Sequence, residues 1–267
     1  ATPAVAYFGV SPATNKPTTV ANGDFWVVSR SLHAQVNGVD ITLGGNNTNT
    51  GLGAGALNYT LTGLRNVAVG KNTLAALTTG LSNVAIGEES QLKNTSGLNN
   101  IGIGVYTLYE LLTGSDNIAI GSEALGVTTV GTCNVAIGSN SMVACVNTAG
   151  TGYNVSVGYD SGRAVTTGVQ NVFLGSGAGH TGQLATAANS IAIGYQVVTT
   201  KSNQMVLGNT SITETVIRGS SDVIFDSTTS LDIGDPTVDG TWRIRRETND
   251  LVMERRESGT FVEKFRV

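Results

Sequence analysis

A pentapeptide that recurs at a constant interval constrains the fold of this chain more than any other feature. It reads Asn, β-branched residue, small residue, β-branched residue, Gly, and its first clear copy is Asn66-Val67-Ala68-Val69-Gly70. Four more copies follow, and the spacing between successive copies is always that between Asn66 and Asn83. Their first and last residues are Asn83 and Gly87, Asn100 and Gly104, Asn117 and Gly121, and Asn134 and Gly138. A fixed period of this length indicates one structural unit that is copied and stacked.

The repeat continues on both sides of these copies. It extends back to Gly53 and, at less regular intervals, forward to Gly158, Gly175, Gly194 and Gly208. Each copy is too short for a pair of helices, and its run of β-branched residues is typical of a buried strand. One coil of this length cannot bury a core, whereas stacked coils can. The pattern therefore predicts an all-β protein that contains a parallel β-solenoid of about ten rungs.

Several columns of equivalent residues support a solenoid. The asparagines predict a ladder of stacked amides, at a corner whose left-handed backbone asparagine tolerates. The closing glycines predict a positive φ, and a second glycine column further along each copy predicts the return turn. A large apolar residue four positions after most closing glycines predicts the second wall of the core; these residues are Leu57, Leu74, Leu108, Leu125 and Met142.

The middle residue of the motif stays small in eight copies, as Gly51, Ala68, Ala85, Gly102, Ala119, Ala136, Ser156 and Ala192. Strand alternation places it on the opposite face from Val67 and Val69. We expect this small-residue face to lie outside, where another backbone packs closely against it in an oligomer. The alternative is a tight bend within one chain.

Composition argues against several classes of function. The net charge is −4, and only five Lys and Arg residues lie between Asn49 and Gly208, so we expect no nucleic-acid partner. No apolar run approaches the length of a membrane helix, so we expect no membrane insertion. His33 and His180 are isolated, which predicts no metal site and no cofactor. We find no catalytic constellation and expect no enzyme activity, and we expect Cys133 and Cys145 to be free thiols.

In its repeats the chain resembles the YadA-like head of trimeric autotransporter adhesins, from about Asn49 to Asn209. The resemblance implies a left-handed parallel β-roll, three of which pack side by side as a homotrimer. The usual copy in that family is shorter, so the turns here should be longer. The C-terminal stretch that begins with Gly240-Thr-Trp-Arg-Ile-Arg resembles the ends of bacteriophage tail fibres that carry the same repeats.

These features predict three regions. Residues 1–46 form a β-rich attachment or capping segment, residues 47–210 form the solenoid, and residues 211–267 form a neck and a C-terminal β-meander that locks the trimer. The leading expectation is a phage tail fibre that binds other virion tail proteins and a glycan or protein on the host surface. A bacterial cell-surface adhesin head is the alternative, and a hydrolase of surface glycans is a third possibility.

Tyrosines stand out on a repeat that is otherwise short of aromatic residues. Sugar rings stack on exposed aromatic side chains, and a polar tip suits a wet interface. We therefore predict receptor contact at Tyr153 with the irregular Ala144–Gly152 loop, and at Tyr106, Tyr109 and Tyr159. Packing within the protein or between subunits is the alternative role for these side chains.

Overall fold

A computed structural model describes the chain in ten ranges, and every regular element in them is a β-strand. The chain divides into two compact units, Ala1–Thr213 and Glu214–Val267. The described ranges are 12–13, 25–28, 31–36, 39–43, 49–58, 61–146, 152–213, 230–233, 239–247 and 250–266. Residues 147–151 of the predicted receptor loop and residues 214–229 of the predicted neck lie outside them.

The first unit contains a parallel β-solenoid, as the repeat predicts. Ten strands of three residues lie in register, and each pairs in parallel with its equivalent in the next turn, so that the chain makes about nine turns. They are β5 Thr50–Leu52, β6 Val67–Val69, β7 Val84–Ile86, β8 Ile101–Ile103, β9 Ile118–Ile120, β10 Val135–Ile137, β11 Val155–Val157, β12 Val172–Leu174, β13 Ile191–Ile193 and β14 Met205–Leu207.

Four earlier strands extend the same sheet beyond β5. They are β1 Pro12–Ala13, β2 Phe25–Val28, β3 Ser31–Val36 and β4 Val39–Leu43. Strands β2, β3, β4 and β5 pair in that order, and each runs antiparallel to the next. Strand β1 runs parallel to β2. This pairing covers the hydrogen-bonding edge that the first turn of the solenoid would otherwise expose. A role of the segment in attachment stays a prediction.

The small middle residues face the interior of the coil, which corrects our sequence prediction. Ala68, Ala85, Ala119, Ala136 and Ala192 are completely buried within one chain. The β-branched residues on either side of them lie on the opposite face, as alternation requires, but that face is the outer one. The middle residue stays small because the coil is narrow and the opposite wall already fills it. Neither a close contact between chains nor a tight bend is the reason.

The opposite wall carries the large apolar residues, as predicted. Leu74, Leu108, Leu125 and Met142 are fully buried, and each has a left-handed backbone with φ between 47° and 52°. Leucines three residues further on, such as Leu77 and Leu111, complete the interior. The core is therefore a column of alanines that faces two columns of leucines.

The asparagine ladder is confirmed. The side-chain oxygen of Asn66 accepts hydrogen bonds from the backbone N–H of Asn83 at 2.9 Å and from its side-chain nitrogen at 3.1 Å. The amide of Asn66 donates to the carbonyl of Gly80 in the return turn at 3.0 Å. The ladder runs from Asn49 to Asn171 and ends at Ser190, whose N–H donates to Asn171.

The backbone at the corners matches the sequence prediction in part. The closing glycines have positive φ, for example 126° at Gly87. The return-turn glycines, such as Gly80, do not have a positive φ. Glycine is required at Gly80 because a Cβ there would collide with the carbonyl of Gly97 in the next turn. The ladder asparagines are not left-handed. That conformation falls one residue earlier, as at Ser82 with φ 58°.

One turn of the solenoid has a polar interior. Gln91 and Asn94 stand where other turns have leucines, and both are completely buried. The Gln91 amide donates to the carbonyl of Val84 at 2.9 Å, and the Asn94 amide donates to the Gln91 side-chain oxygen at 3.1 Å. Gly102 leaves room for this layer, because a Cβ there would lie 3.3 Å from Cγ of Gln91. The layer separates two apolar clusters of the core.

We expect Gln91→Leu alone to lower the free energy of unfolding by about 1–3 kcal/mol, because it leaves the buried amide of Asn94 without its acceptor. Gln91→Leu with Asn94→Leu restores the leucine pair of the neighbouring turns and should recover at least the wild-type stability. Denaturant unfolding followed by circular dichroism, at one protein concentration, measures both. A double variant less stable than the single variant would contradict this account of the layer.

The second unit is a four-stranded antiparallel sheet, and its last three strands match the predicted meander. Its strands are β15 Ser230–Ile233, β16 Trp242–Glu247, β17 Asp250–Glu257 and β18 Thr260–Arg266. Asp239 holds the β17–β18 turn, because its carboxylate accepts the N–H groups of Ser258 at 2.9 Å and Gly259 at 3.0 Å. The guanidinium of Arg243 lies 3.7 Å from the ring centroid of Phe261.

Candidate functional site

The outer face of the solenoid sheet is an apolar strip. We use this name for the first and third residues of strands β5–β14, all of which are Val, Ile, Leu or Met except Thr50. Central members are exposed, with 38% of the surface of Ile86, 36% of Ile103 and 37% of Ile137 open to solvent. The strip is two side chains wide and about 43 Å long at ~4.8 Å per turn. A continuous exposed apolar surface of this kind is typical of interaction sites.

Two of the four predicted receptor tyrosines come together. The rings of Tyr106 and Tyr109 meet edge to face, with centroids 5.6 Å apart and an interplanar angle of 83°. Tyr153 and Tyr159 stand apart, at opposite ends of strand β11, and are 56% and 58% exposed. The predicted contact surface therefore divides into a tyrosine pair and two isolated tyrosines, and Tyr195 is also isolated at 61% exposure.

The tyrosine pair borders a groove, which we call the tyrosine groove. Its volume is about 370 Å³, and its lining residues are Glu89, Tyr106, Tyr109, Glu110, Glu123, Gly126, Val127 and Val143. Gly126 forms its floor, because the equivalent positions in the turns on either side carry Tyr109 and Val143. One missing side chain in an otherwise filled column thus opens the groove. The volume falls within the range of small-molecule sites, roughly 300–1,000 Å³.

Lysine–glutamate pairs run along the solenoid axis near the groove. Lys93 contacts Glu110 at 2.7 Å and lies 5.2 Å from the ring centroid of Tyr109. Another pair joins Lys71 to Glu88 in the next turn at 2.9 Å. The hydrogen bond to Glu110 raises the pKa of Lys93, and the hydrogen bond to Glu88 raises the pKa of Lys71. Both lysines are therefore charged at neutral pH and are held by their partners.

A buried carboxylate lies at the corner that carries Tyr159. Asp160 is 8% exposed, and its carboxylate accepts a hydrogen bond from Arg163 at 2.8 Å. Burial alone would raise the pKa of Asp160, but hydrogen bonds from Arg163 and Asn140 outweigh burial and lower it below its ordinary value of 3.8. The carboxylate therefore stays ionised and links the side chains of Arg163 and Asn140 next to Tyr159.

Stability should depend on pH through Asp160. Because its pKa is lower in the folded chain, the stabilisation is complete above the unfolded value and is lost as the pH falls through the folded value. We expect Asp160→Asn to cost about 1 kcal/mol at pH 7, given the partly exposed arginine partner. The difference between wild type and variant should shrink as the pH falls below the ordinary aspartate range, because the carboxylate then becomes protonated in both states. A difference that stays constant with pH, measured by urea unfolding, would contradict this role.

Neither Cys133 nor Cys145 forms a disulfide bond, as expected. Cys145 is buried against Met142 and Leu125 in the core, whereas Cys133 is partly exposed. Within the described residues no group of three or more His, Cys, Asp or Glu side chains is placed to hold a metal ion. The same part of the chain contains no helix that is long and apolar enough to cross a membrane.

Comparisons with models of known protein families, with curated proteins and with solved structures give no match to this chain. Two surfaces of the chain differ from what the sequence predicted: the apolar strip was assigned to the interior, and Gly126 was not singled out. The signal for Gly126 was present, because it is the one glycine among Ala75, Leu92, Tyr109 and Val143 in a column of equivalent residues.

Proposed function

We propose that the protein is a homotrimeric attachment fibre in which three solenoids pack side by side through the apolar strip. The strip supports this best, because monomeric proteins rarely expose a continuous apolar surface of such length. A strip that is narrow and as long as the solenoid suits parallel rods around a shared axis. The coils would then be left-handed, as in the adhesin heads that the repeat resembles.

Attachment to a cell surface is the function that this assembly would serve. A phage tail fibre is the leading form, because the C-terminal stretch resembles the ends of such fibres, and a bacterial adhesin head is the alternative. The exposed tyrosines provide contact points for a surface glycan or protein. Trp242 is 37% exposed and Phe265 is 56% exposed in the C-terminal sheet. Association of three C-terminal segments would cover them and lock the trimer.

Light scattering on the intact protein tests the assembly. We expect three times the protomer mass of 27.4 kDa. The attachment role is tested separately, by saturable binding of the fluorescently labelled protein to intact bacterial cells. A monomeric mass at micromolar concentration would refute the trimer. A correct trimer that binds no surface across a broad panel of bacteria would refute the attachment role and leave the assembly in place.

A further inference from the structure

The tyrosine groove combines three features that suit one class of ligand. It offers a ring surface at Tyr106, which is 39% exposed, and an apolar side at Val127, which is 40% exposed. It also offers the carboxylates of Glu89, Glu110 and Glu123. Hexoses present a C–H face that stacks on aromatic rings and hydroxyl groups that donate to carboxylates.

The charge of the groove further restricts the class of ligand that it can bind. Glu110 is neutralised by Lys93, whereas Glu89 accepts a hydrogen bond from the uncharged Asn72 amide at 3.2 Å. Glu123 is exposed and forms no ion pair among the described residues. Lys71 interacts with Glu89 as well as with its partner Glu88. The four carboxylates of Glu88, Glu89, Glu110 and Glu123 nevertheless outnumber the two lysines beside the ring pair, so the surroundings of the groove are negatively charged. Like charges repel, so an acidic sugar is disfavoured and a sugar that carries an ammonium group is favoured.

The groove also stays accessible in the proposed trimer. Its residues follow the closing-glycine corner by two to six positions, whereas the apolar strip belongs to the strand that precedes that corner. The ring pair, the carboxylates and the floor therefore lie beyond the corner from the face that would be buried between subunits.

We propose that the tyrosine groove binds a non-acidic hexose unit of a glycan, stacked on Tyr106 over the floor at Gly126, with a preference for an amino sugar. The biological meaning rests on the proposed role in attachment, but the binding itself does not. For a methyl hexoside a dissociation constant on the order of 1 mM is expected from the size of the ligand.

Three methyl glycosides that share the same sugar ring but differ in charge test the proposal on the intact protein. They are methyl glucosaminide with its amine protonated, methyl glucoside, and methyl glucuronide. Fluorine NMR of protein labelled with 3-fluorotyrosine reports binding at the Tyr106 resonance, which Tyr106→Phe identifies. We expect the first two to bind and the glucuronide to bind at least tenfold more weakly, with the gap narrowing as salt screens the charges.

Two variants and one matched control locate the binding in the groove. Gly126→Val fills the floor. The φ of Gly126 is not in the left-handed region and the same column holds Val143, but a Cβ at Gly126 would lie 3.1 Å from the carbonyl oxygen of Glu123, which must shift by a few tenths of an ångström. Circular dichroism should show that the variant keeps the wild-type fold. It should weaken binding of the glucoside at least tenfold. Ala75→Val, at the equivalent position of a turn outside the groove, is the matched control and should bind as wild type does. Glu123→Gln should reduce the preference for methyl glucosaminide over methyl glucuronide. It should still bind methyl glucoside as wild type does.

The proposal is overturned if none of the three probes binds, if the glucuronide binds as tightly as the glucosaminide, or if Gly126→Val binds as wild type does. Each of these outcomes leaves the trimer mass and the attachment to cells untouched, because those are measured independently. A monomeric protein that still binds the glucoside would refute the proposed assembly and leave the groove as a sugar site.

Discussion

A lysine in place of Ile103 is expected to convert the trimer into folded monomers at micromolar concentration. Ile103 lies near the middle of the apolar strip and is 36% exposed in a single chain. In the proposed assembly it would be buried, and an unpaired ammonium group there costs several kcal/mol per site. Three such sites meet in each trimer, so the effect on the dissociation constant should exceed a thousandfold, since each step of about 1.4 kcal/mol is a factor of ten.

Leu112→Lys is the matched control for this change. Leu112 is 41% exposed, so the two leucine-sized side chains differ little in the single chain, but Leu112 lies on another wall of the coil. Light scattering should give a monomer for Ile103→Lys and a trimer for Leu112→Lys, with similar circular dichroism spectra. If both variants remain trimeric, the apolar strip is not the interface.

The replacement of Phe173 by alanine should cause the largest loss of stability within one chain. Phe173 occupies the alanine column and is completely buried. The facing leucine column leaves room for the Phe173 ring, because Gly162 and Gly179 stand where most other turns have Leu or Met. Alanine would therefore leave a cavity beside two glycines that have no side chain to fill it. The expected cost is about 3–5 kcal/mol, which lowers the melting temperature by roughly 10 °C.

A second substitution should restore much of that loss. A Cβ at Gly179 would collide with the ring of Phe173, so Gly179→Leu alone should destabilise the wild type. With Phe173→Ala the collision disappears and the ordinary alanine and leucine core returns. The left-handed φ of 68° at Gly179 is no obstacle in this column, where Leu57 adopts 63°. Thermal unfolding should show the double variant to be more stable than either single variant, whereas purely additive losses would contradict the exchange of volume.

The sequence alone determined the repeating unit and much of its hydrogen bonding. The constant interval of the pentapeptide predicted stacked turns, and the strands lie where the pentapeptide placed them. The ladder through Asn66 and Asn83 could be predicted because a side-chain amide can donate to one neighbour and accept from another. The closing glycines could be predicted for a similarly local reason, since a positive φ of 126° at Gly87 is rarely open to other residues.

Only the tertiary structure decided which face of each strand is inside. Alternation separates Ala68 from Val67 and Val69, but it does not say which side meets the opposite wall. The buried side must match the volume left by the leucine column, and that volume depends on the width of the closed coil. The same holds for Phe173 with its two glycines, for Gln91 with Asn94, and for the groove over Gly126. Each depends on side chains in neighbouring turns, whose distance is set when the chain closes on itself.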